Sequence, residues 1–278
     1  MSPQKLLHIS RPRFWMYLLG PFAVGAVASG TQSDLGWPLL WLTAVYFTFP
    51  ANLLVYGVND IFDYETDKDN PKKVDYEAFV TKAEHPALWR WILIWNLPFL
   101  GLLFFLPWQS IVAIGLFLFL SLQYSSPPIR AKARPFVDSA FNILYIMPGL
   151  TGFWLLTPSE TLWPAIIAAG LWSMAMHSYS AVPDIETDLK ANTPTIATKL
   201  GFTTTLVYCF TLYTVAYLLM IPYLGDLAHI LGLTYLGLMV LTELRGPAHS
   251  FAVYQLFPKV NTLTGFLLFW AIVWIRFR

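Results

Sequence analysis

Long apolar segments alternate with short polar connections along the whole chain. A helix that crosses a bilayer needs about 20 mostly apolar residues, and nine segments come near that length. They cover residues 14–30, 39–58, 88–106, 110–124, 140–156, 162–182, 204–224, 228–244 and 262–277. The pattern predicts an all-α, polytopic membrane protein of about nine transmembrane helices.

The composition agrees with this prediction. Hydrophobic residues make up 56% of the 278 residues and charged residues only 12%, whereas soluble domains carry roughly 25% charged residues. The net charge of +1 gives no global field that would favour a nucleic acid as partner. The partner that the sequence indicates is instead the lipid bilayer.

The basic residues are concentrated on one side of the predicted spans. The N-terminal segment and the even-numbered connections hold 15 of the 17 Lys and Arg residues, and such segments face the cytoplasm. We therefore expect a protein of the cytoplasmic (inner) membrane with its N-terminus inside. Nine spans would place Arg276 and Arg278 outside, so an eight-span arrangement with an interfacial last helix stays open. All but three of the 16 acidic residues also fall on the cytoplasmic side.

Two matching acidic motifs stand at the cytoplasmic ends of the second and sixth spans. The sequence reads DYETD at 63–67 and DIETD at 184–188. If the second span continues as a helix, its acids share one helical stripe, and the two aspartates of the second motif lie one turn apart. The candidate metal ligands are Asn59, Asp63, Asp67, Asp184 and Asp188.

Clustered carboxylates repel one another unless a cation lies among them. Mg²⁺ usually takes one or two carboxylates together with substrate phosphates and water, so two facing motifs would hold a metal-bridged diphosphate. The alternative, that the acids only solvate two helix ends, explains a single motif better than a matching pair. The pair also suggests an internal repeat of two four-helix halves plus one extra helix, within a single domain over 1–278.

A basic loop follows the fourth span. It reads YSSPPIRAKARP from Tyr124 to Pro135, with Arg130, Lys132 and Arg134 at alternate positions. Such cations would neutralise a diphosphate and stabilise it as a leaving group. The positive-inside rule alone would explain the charges, but not the Tyr-Ser-x-Pro-Pro that precedes them.

With these elements the chain resembles the UbiA superfamily of intramembrane prenyltransferases. The resemblance covers nearly the whole length and rests on Asn59-Asp60-x-x-Asp63-x-x-x-Asp67, on Asp184-x-x-x-Asp188, on the loop from Tyr124 and on Arg11-Pro12…Trp15. It implies Mg²⁺, an allylic diphosphate donor and a lipophilic acceptor, and we expect two Mg²⁺ ions that bridge the diphosphate. The diphosphate-binding residues that we expect are Lys73, Tyr124, Ser125, Arg130 and Lys132.

Local strings indicate the carotenoid branch of the superfamily. The Arg-Pro-x-x-x-Gly-like segment that usually follows the first motif of quinone enzymes is absent, and the second motif lies in HSYSAVPDIETDLKANTPTIATKLG from His177. Both features are similar to the lycopene elongases, which add a five-carbon dimethylallyl unit to the ends of a C40 chain. Asp60 would then orient a neighbouring ligand, and His177 would take a proton or position water. A purely structural, hydrogen-bonded role for His177 is the alternative.

Two other functions stay open. The first is an aromatic prenyltransferase that attaches a polyprenyl chain to a quinone precursor. The second is a cation-coupled transporter, because acids in membrane helices often mark ion pathways. Transport favours acids near the midplane of the bilayer, whereas these acids lie at one mouth.

Overall fold

The computed structural model describes residues 1–30, 37–67, 78–158 and 160–277, without the side chains of Trp37, Thr66 and Asp67. All the regular structure in these ranges is helical, which confirms the all-α prediction. The α-helices are α1 Pro3–Ile9, α2 Met16–Ala28, α3 Trp37–Tyr46, α4 Phe49–Phe62, α5 Tyr64–Asp67, α6 His85–Leu100, α7 Trp108–Ser125, α8 Val137–Phe141, α9 Met147–Leu155, α10 Trp163–Ser180, α11 Ile185–Lys190, α12 Ile196–Leu200, α13 Phe202–Leu224, α14 Asp226–Arg245, α15 Ser250–Tyr254 and α16 Phe257–Phe277. Short 3₁₀ helices cover Pro12–Phe14, Lys82–Glu84, Gly101–Phe104, Ala131–Ala133, Asn142–Ile146, Val182–Asp184 and Pro247–His249.

Seven helical stretches among the described residues are long and apolar enough to cross a bilayer. They are Pro38–Phe62, Lys82–Phe104, Trp108–Ser125, Trp163–Lys190, Phe202–Leu224, Asp226–Arg245 and Phe257–Phe277. Each coincides with one predicted span, so the polytopic character of the chain is confirmed.

The other two predicted spans take a different form. Residues 14–30 contain α2, an apolar helix of 13 residues. Residues 140–156 are divided among α8, the 3₁₀ helix Asn142–Ile146 and α9. The count of nine spans is not confirmed, and the repeat of two four-helix halves stays a prediction.

The described residues pack into two compact units. The first comprises Met1–Arg130 and Met147–Ser159, and the second comprises Ala131–Ile146 and Glu160–Arg278. In the first unit α9 packs against α2 and α7, and α4 packs against α1, α6 and α7. Its core includes Phe22, Phe47 and Phe117. The ring centroid of Phe47 lies 5.5 Å from that of Phe22 and 5.6 Å from that of Phe117.

Helices α2 and α9 of the first unit touch through their backbones. A Cβ atom on Gly25 would lie 1.9 Å from the carbonyl oxygen of Gly149, and a Cβ on Gly152 would lie 2.4 Å from that of Phe22. Small residues at a helix crossing allow this close approach, which is common in membrane proteins. The glycines therefore bring the short helix α9 against α2 in the first unit.

The second unit is built around α10. This helix packs against α13 and against the 3₁₀ helix Asn142–Ile146, and α13 packs in turn against α14. Tyr179 of α10 is fully buried and hydrogen-bonds Thr242 of α14 at 2.8 Å. The packing fixes the C-terminal end of α10, where the second acidic motif begins.

Candidate active site

The first acidic motif lies where α4 ends. Asn59 and Asp60 are in the last turn of α4, and Asp63 follows directly with φ −99° and ψ 7°, between α4 and the short helix α5. These dihedral angles belong to a sparsely populated region in which many active-site residues are found. The single continuous stripe predicted for the motif is therefore interrupted at Asp63. Asp67 ends α5, and its side chain lies outside the described residues, as does Lys73.

Asn59 joins this motif to the start of the basic loop. Its Nδ2 donates to Asp63 Oδ2 at 2.6 Å and to Ser125 Oγ at 3.1 Å. Asp63 is 7% exposed and Ser125, the last residue of α7, is 2% exposed. These two bonds engage the amino group of the Asn59 side chain. Its carbonyl oxygen can therefore serve as a metal ligand.

Asp60 is engaged by the N-terminal segment. It is 3% exposed, and its Oδ1 accepts a hydrogen bond from Arg11 Nη2 at 3.1 Å. The Arg11 guanidinium also lies over the ring of Tyr56, 4.6 Å from its centroid. Arg11 has φ +50°, and for a residue other than glycine this left-handed conformation carries about 1–3 kcal/mol of strain. Such geometry agrees with a role for Asp60 in orienting its neighbours rather than in binding metal.

The second acidic motif follows α10 in the second unit. His177 lies in the last turn of α10, Asp184 ends the 3₁₀ helix Val182–Asp184, and Asp188 lies in α11. Asp184, Asp138 and His177 all lie close enough to act electrostatically on the Asp188 carboxylate. Asp188 Oδ2 also accepts a long hydrogen bond, 3.5 Å, from Thr195.

Lys132 of the basic loop belongs to the same cluster as Asp188. It lies in the 3₁₀ helix Ala131–Ala133 and is half-buried. Burial lowers the pKa of its ammonium group from 10.5 to about 8, although the nearby charge of Asp188 acts in the opposite direction. A cation whose pKa is depressed in this way gains most from an anion that comes to lie beside it.

The other two loop residues expected to bind diphosphate lie in the first unit. Tyr124 is half-buried near the end of α7, and Arg130 is exposed, with its backbone in the left-handed region at φ +45°. The Arg130 amide donates to the Ser126 carbonyl at 2.9 Å and closes the turn. The predicted residues therefore form one cluster in each unit: Asn59, Asp60, Asp63 and Ser125 in the first, and Lys132, His177, Asp184 and Asp188 in the second.

Sequence reasoning missed Asp138, which is fully buried in the second unit. Its Oδ2 lies 3.8 Å from His177 Nε2 and accepts a hydrogen bond from the Ile196 amide. The signal that could have found it is an acid at the start of an apolar segment, since ionisable residues at membrane depth are rare and usually functional.

The side chains of both clusters fit a magnesium ion. They offer carboxylate and amide oxygens, which are the ligands that Mg²⁺ takes, and a cation would relieve the mutual repulsion of Asp184 and Asp188. Across the described ranges, no group of three or more His, Cys, Asp or Glu residues could hold a metal ion by itself.

The sequence profile of the UbiA prenyltransferase family matches residues 18–250. The chain belongs to the UbiA prenyltransferase family. It is 38% identical to the lycopene elongase/hydratase of Haloarcula japonica over 277 residues, covering 97% of this chain and 91% of that one. It is 36% identical to the lycopene elongase/hydratase of Haloferax volcanii over 271 residues, covering 96% and 87% respectively.

The fold agrees with that membership. A UbiA homologue from Archaeoglobus fulgidus bound to DMAPP and Mg²⁺ superposes with a TM-score of 0.73 at 16% identity, covering 97% of this chain and 99% of that one. As a UbiA-family chain with seven long apolar helices in its described ranges, this protein is an integral membrane prenyltransferase. The expected resemblance to the carotenoid branch is confirmed.

Proposed function

We propose that this prenyltransferase transfers a five-carbon dimethylallyl group from dimethylallyl diphosphate to the ends of lycopene, giving C45 and C50 carotenoids. The observation that carries this proposal is the similarity to lycopene elongase/hydratases over nearly the whole chain. An allylic diphosphate donor is supported by the fold neighbour that is solved with DMAPP and with GPP, each with Mg²⁺. The five-carbon length of the donor follows from the similarity to lycopene elongases.

In this proposal both acidic motifs serve the diphosphate substrate. The residues that would hold two Mg²⁺ ions are Asn59, Asp63, Asp67, Asp184 and Asp188. Bound Mg²⁺ supplies positive charge that neutralises the diphosphate and makes it a better leaving group. Asp60 does not bind metal, because Arg11 already neutralises its charge, and it fixes the end of α4 on which Asn59 stands.

The basic loop binds the other phosphate oxygens. Lys132 becomes fully charged beside the diphosphate and offers up to three hydrogen-bond donors. The hydroxyl of Ser125 accepts from Asn59, so its own proton is directed at a phosphate oxygen. Arg130, Tyr124 and Lys73 complete the set of donors.

The bond changes then follow in a definite order. The allylic C–O bond breaks and the diphosphate leaves with the electron pair. The terminal double bond of the acceptor attacks the allylic cation, forming a C–C bond and a tertiary cation. This cation loses a proton to His177 and becomes an alkene. Alternatively, the oxygen of a water molecule bonds to the cationic carbon, and one proton of that water passes to His177, which leaves an alcohol.

The long apolar acceptor enters from the lipid. We place the site at the cytoplasmic face of the cytoplasmic membrane, because both acidic motifs and most of the basic residues lie on the side that the positive-inside rule assigns to the cytoplasm. A water-soluble diphosphate then arrives from the cytoplasm and a carotenoid from the bilayer.

The test is expression in bacteria that accumulate lycopene, with the pigments analysed by mass spectrometry. We expect C45 and C50 products from the natural sequence, none from Asp63→Ala or Asp184→Ala, and normal amounts from the control Asp226→Ala, an acid expected on the opposite membrane face. Unchanged lycopene beside protein that is present and folded in the membrane would exclude lycopene as acceptor. A quinone precursor would then be the acceptor to assay.

A further inference from the structure

Asp138 is the most completely buried acidic residue among those that the structure describes. Its exposed fraction is 0%, and it lies in the first turn of α8 in the second unit. A charged side chain at such a site needs several compensating contacts. The described contacts of Asp138 show where that compensation comes from.

Two backbone amides support the carboxylate. The Ser139 amide donates to Oδ1 at 2.8 Å, and the Ile196 amide at the start of α12 donates to Oδ2 at 2.7 Å. The Asp138 amide in turn donates to the carbonyl of Arg134 at 2.9 Å. Asp138 thereby ties the end of the basic loop to the segment that follows the second acidic motif.

The same oxygen that binds Ile196 faces a histidine. His177 Nε2 on α10 lies 3.8 Å from Asp138 Oδ2, a distance for an ion pair rather than for a formed hydrogen bond. His177 also acts electrostatically on Asp188, as does Asp138. The pair therefore adjoins the second acidic motif without belonging to its ligands.

We propose that Asp138 is a positioning residue for the transfer reaction, which fixes the imidazole of His177 and stabilises its positive charge when it accepts the product proton. This inference rests on the proposed function, in which His177 receives that proton. A carboxylate behind an imidazole sets its tautomer and orientation in the same way in other enzymes that use histidine as a base.

In this proposal the two ring nitrogens of His177 have different roles. Nε2 carries its proton toward Asp138, so Nδ1 holds the lone pair that accepts a proton from the carbon next to the cationic centre. The C–H electron pair becomes the new double bond, and an imidazolium forms beside Asp138. The proton passes to water after product release, which restores the neutral histidine.

The test separates ionisation of the donor from transfer. Purified protein in lipid nanodiscs with Mg²⁺ and labelled dimethylallyl diphosphate is assayed without acceptor for dimethylallyl alcohol, and with lycopene for C45 and C50 products. The variants are Asp138→Asn, His177→Gln and the two combined. The control is Ser173→Ala, which also removes a buried polar group of α10, the hydroxyl that donates to the Asn142 carbonyl.

In the variants of the pair we expect alcohol formation to change by less than about 3-fold and elongation to fall by roughly 10²-fold, the lower part of the range for a lost general base. The double variant should lose no more than a single one, because the two residues act as a unit. The control should keep the natural ratio of elongation to hydrolysis. If Asp138→Asn does not accumulate in the membrane, Asp138→Glu takes its place, because it keeps the charge but displaces it. This variant should also lose elongation activity while it keeps alcohol formation.

Two results would overturn the proposal. Hydrolysis and elongation falling together would show that Asp138 supports only the fold, and losses that multiply in the double variant would show that the residues act independently. If lycopene is not the acceptor, the result is different: the natural protein hydrolyses the donor but forms no C45 product from lycopene. The same variants are then compared on an aromatic acid with a polyprenyl diphosphate, since the aromatic ring must also lose a proton after the new bond forms.

Discussion

The depressed pKa of Lys132 predicts a specific pH dependence of donor binding. Burial brings the pKa of the free enzyme's ammonium group to about 8. The charged form is complete well below pH 8 and is lost as the pH rises through 8. If only the charged form binds the diphosphate, the apparent KM for the donor should rise above that pH, and binding should take up a proton.

The expected magnitude follows from the pKa. The apparent KM is multiplied by 1 + 10^(pH − pKa), which is about 1.1 at pH 7, about 2 at pH 8 and about 11 at pH 9 for a pKa of about 8. A lysine with the ordinary value of 10.5 would raise KM by only about 3% at pH 9. The two cases therefore differ by about 10-fold in one measurement.

The assay is initial-rate prenyl transfer in nanodiscs at saturating acceptor and Mg²⁺, with donor concentration varied between pH 7 and pH 9. Lys132→Arg should flatten the profile, because arginine stays charged throughout this range, whereas the control Lys199→Arg on the exposed face of α12 should leave it unchanged. A KM that stays constant from pH 7 to pH 9 in the natural protein, or a rise that persists in Lys132→Arg, would refute the reasoning.

Two predictions concern stability. Gly25→Ala should lower the free energy of unfolding by about 1–3 kcal/mol or more, the usual range for overpacking, because its Cβ would meet the backbone of Gly149. Gly101→Ala, which meets nothing within 4 Å, is the matched control, and equal thermal unfolding of the two in detergent would contradict the prediction. Arg11→Met alone should cost about 3–5 kcal/mol, the usual cost of removing one partner of a buried ion pair, because it removes the guanidinium that donates to the buried Asp60 carboxylate. The double variant with Asp60→Leu should regain most of that loss, and additive losses would show that the two side chains are not coupled.

Hydropathy predicted the long helices well, because membrane helices bury their backbone polar groups internally and need only an apolar run of sufficient length. The same measure could not distinguish α8, Asn142–Ile146 and α9 from one continuous span. All of these conformations accept apolar residues, and the interruption depends on the contact of α9 with α2 at Gly149 and Gly152.

The candidate site shows a similar division. Repetition of an acidic pentapeptide led to Asp63 and Asp184, because charge in an apolar chain is conspicuous. Asp138 was missed because both of its described hydrogen-bond donors are backbone amides, that of Ser139 and that of Ile196, 58 residues away. A backbone amide has no signature in the sequence. Arg11 resembled part of the family pattern, but its pairing with Asp60 needed the position of the N-terminal segment against α4.

The hydrogen bond from Ile196 to Asp138 has a consequence for how this family can diverge. The donor is a main-chain N–H, so position 196 can change among apolar residues that fill its buried pocket without loss of the bond. Proline is the exception, because it has no N–H. In related sequences we expect position 138 to stay aspartate while position 196 varies. Pairwise covariation between the two positions would then not reveal their contact.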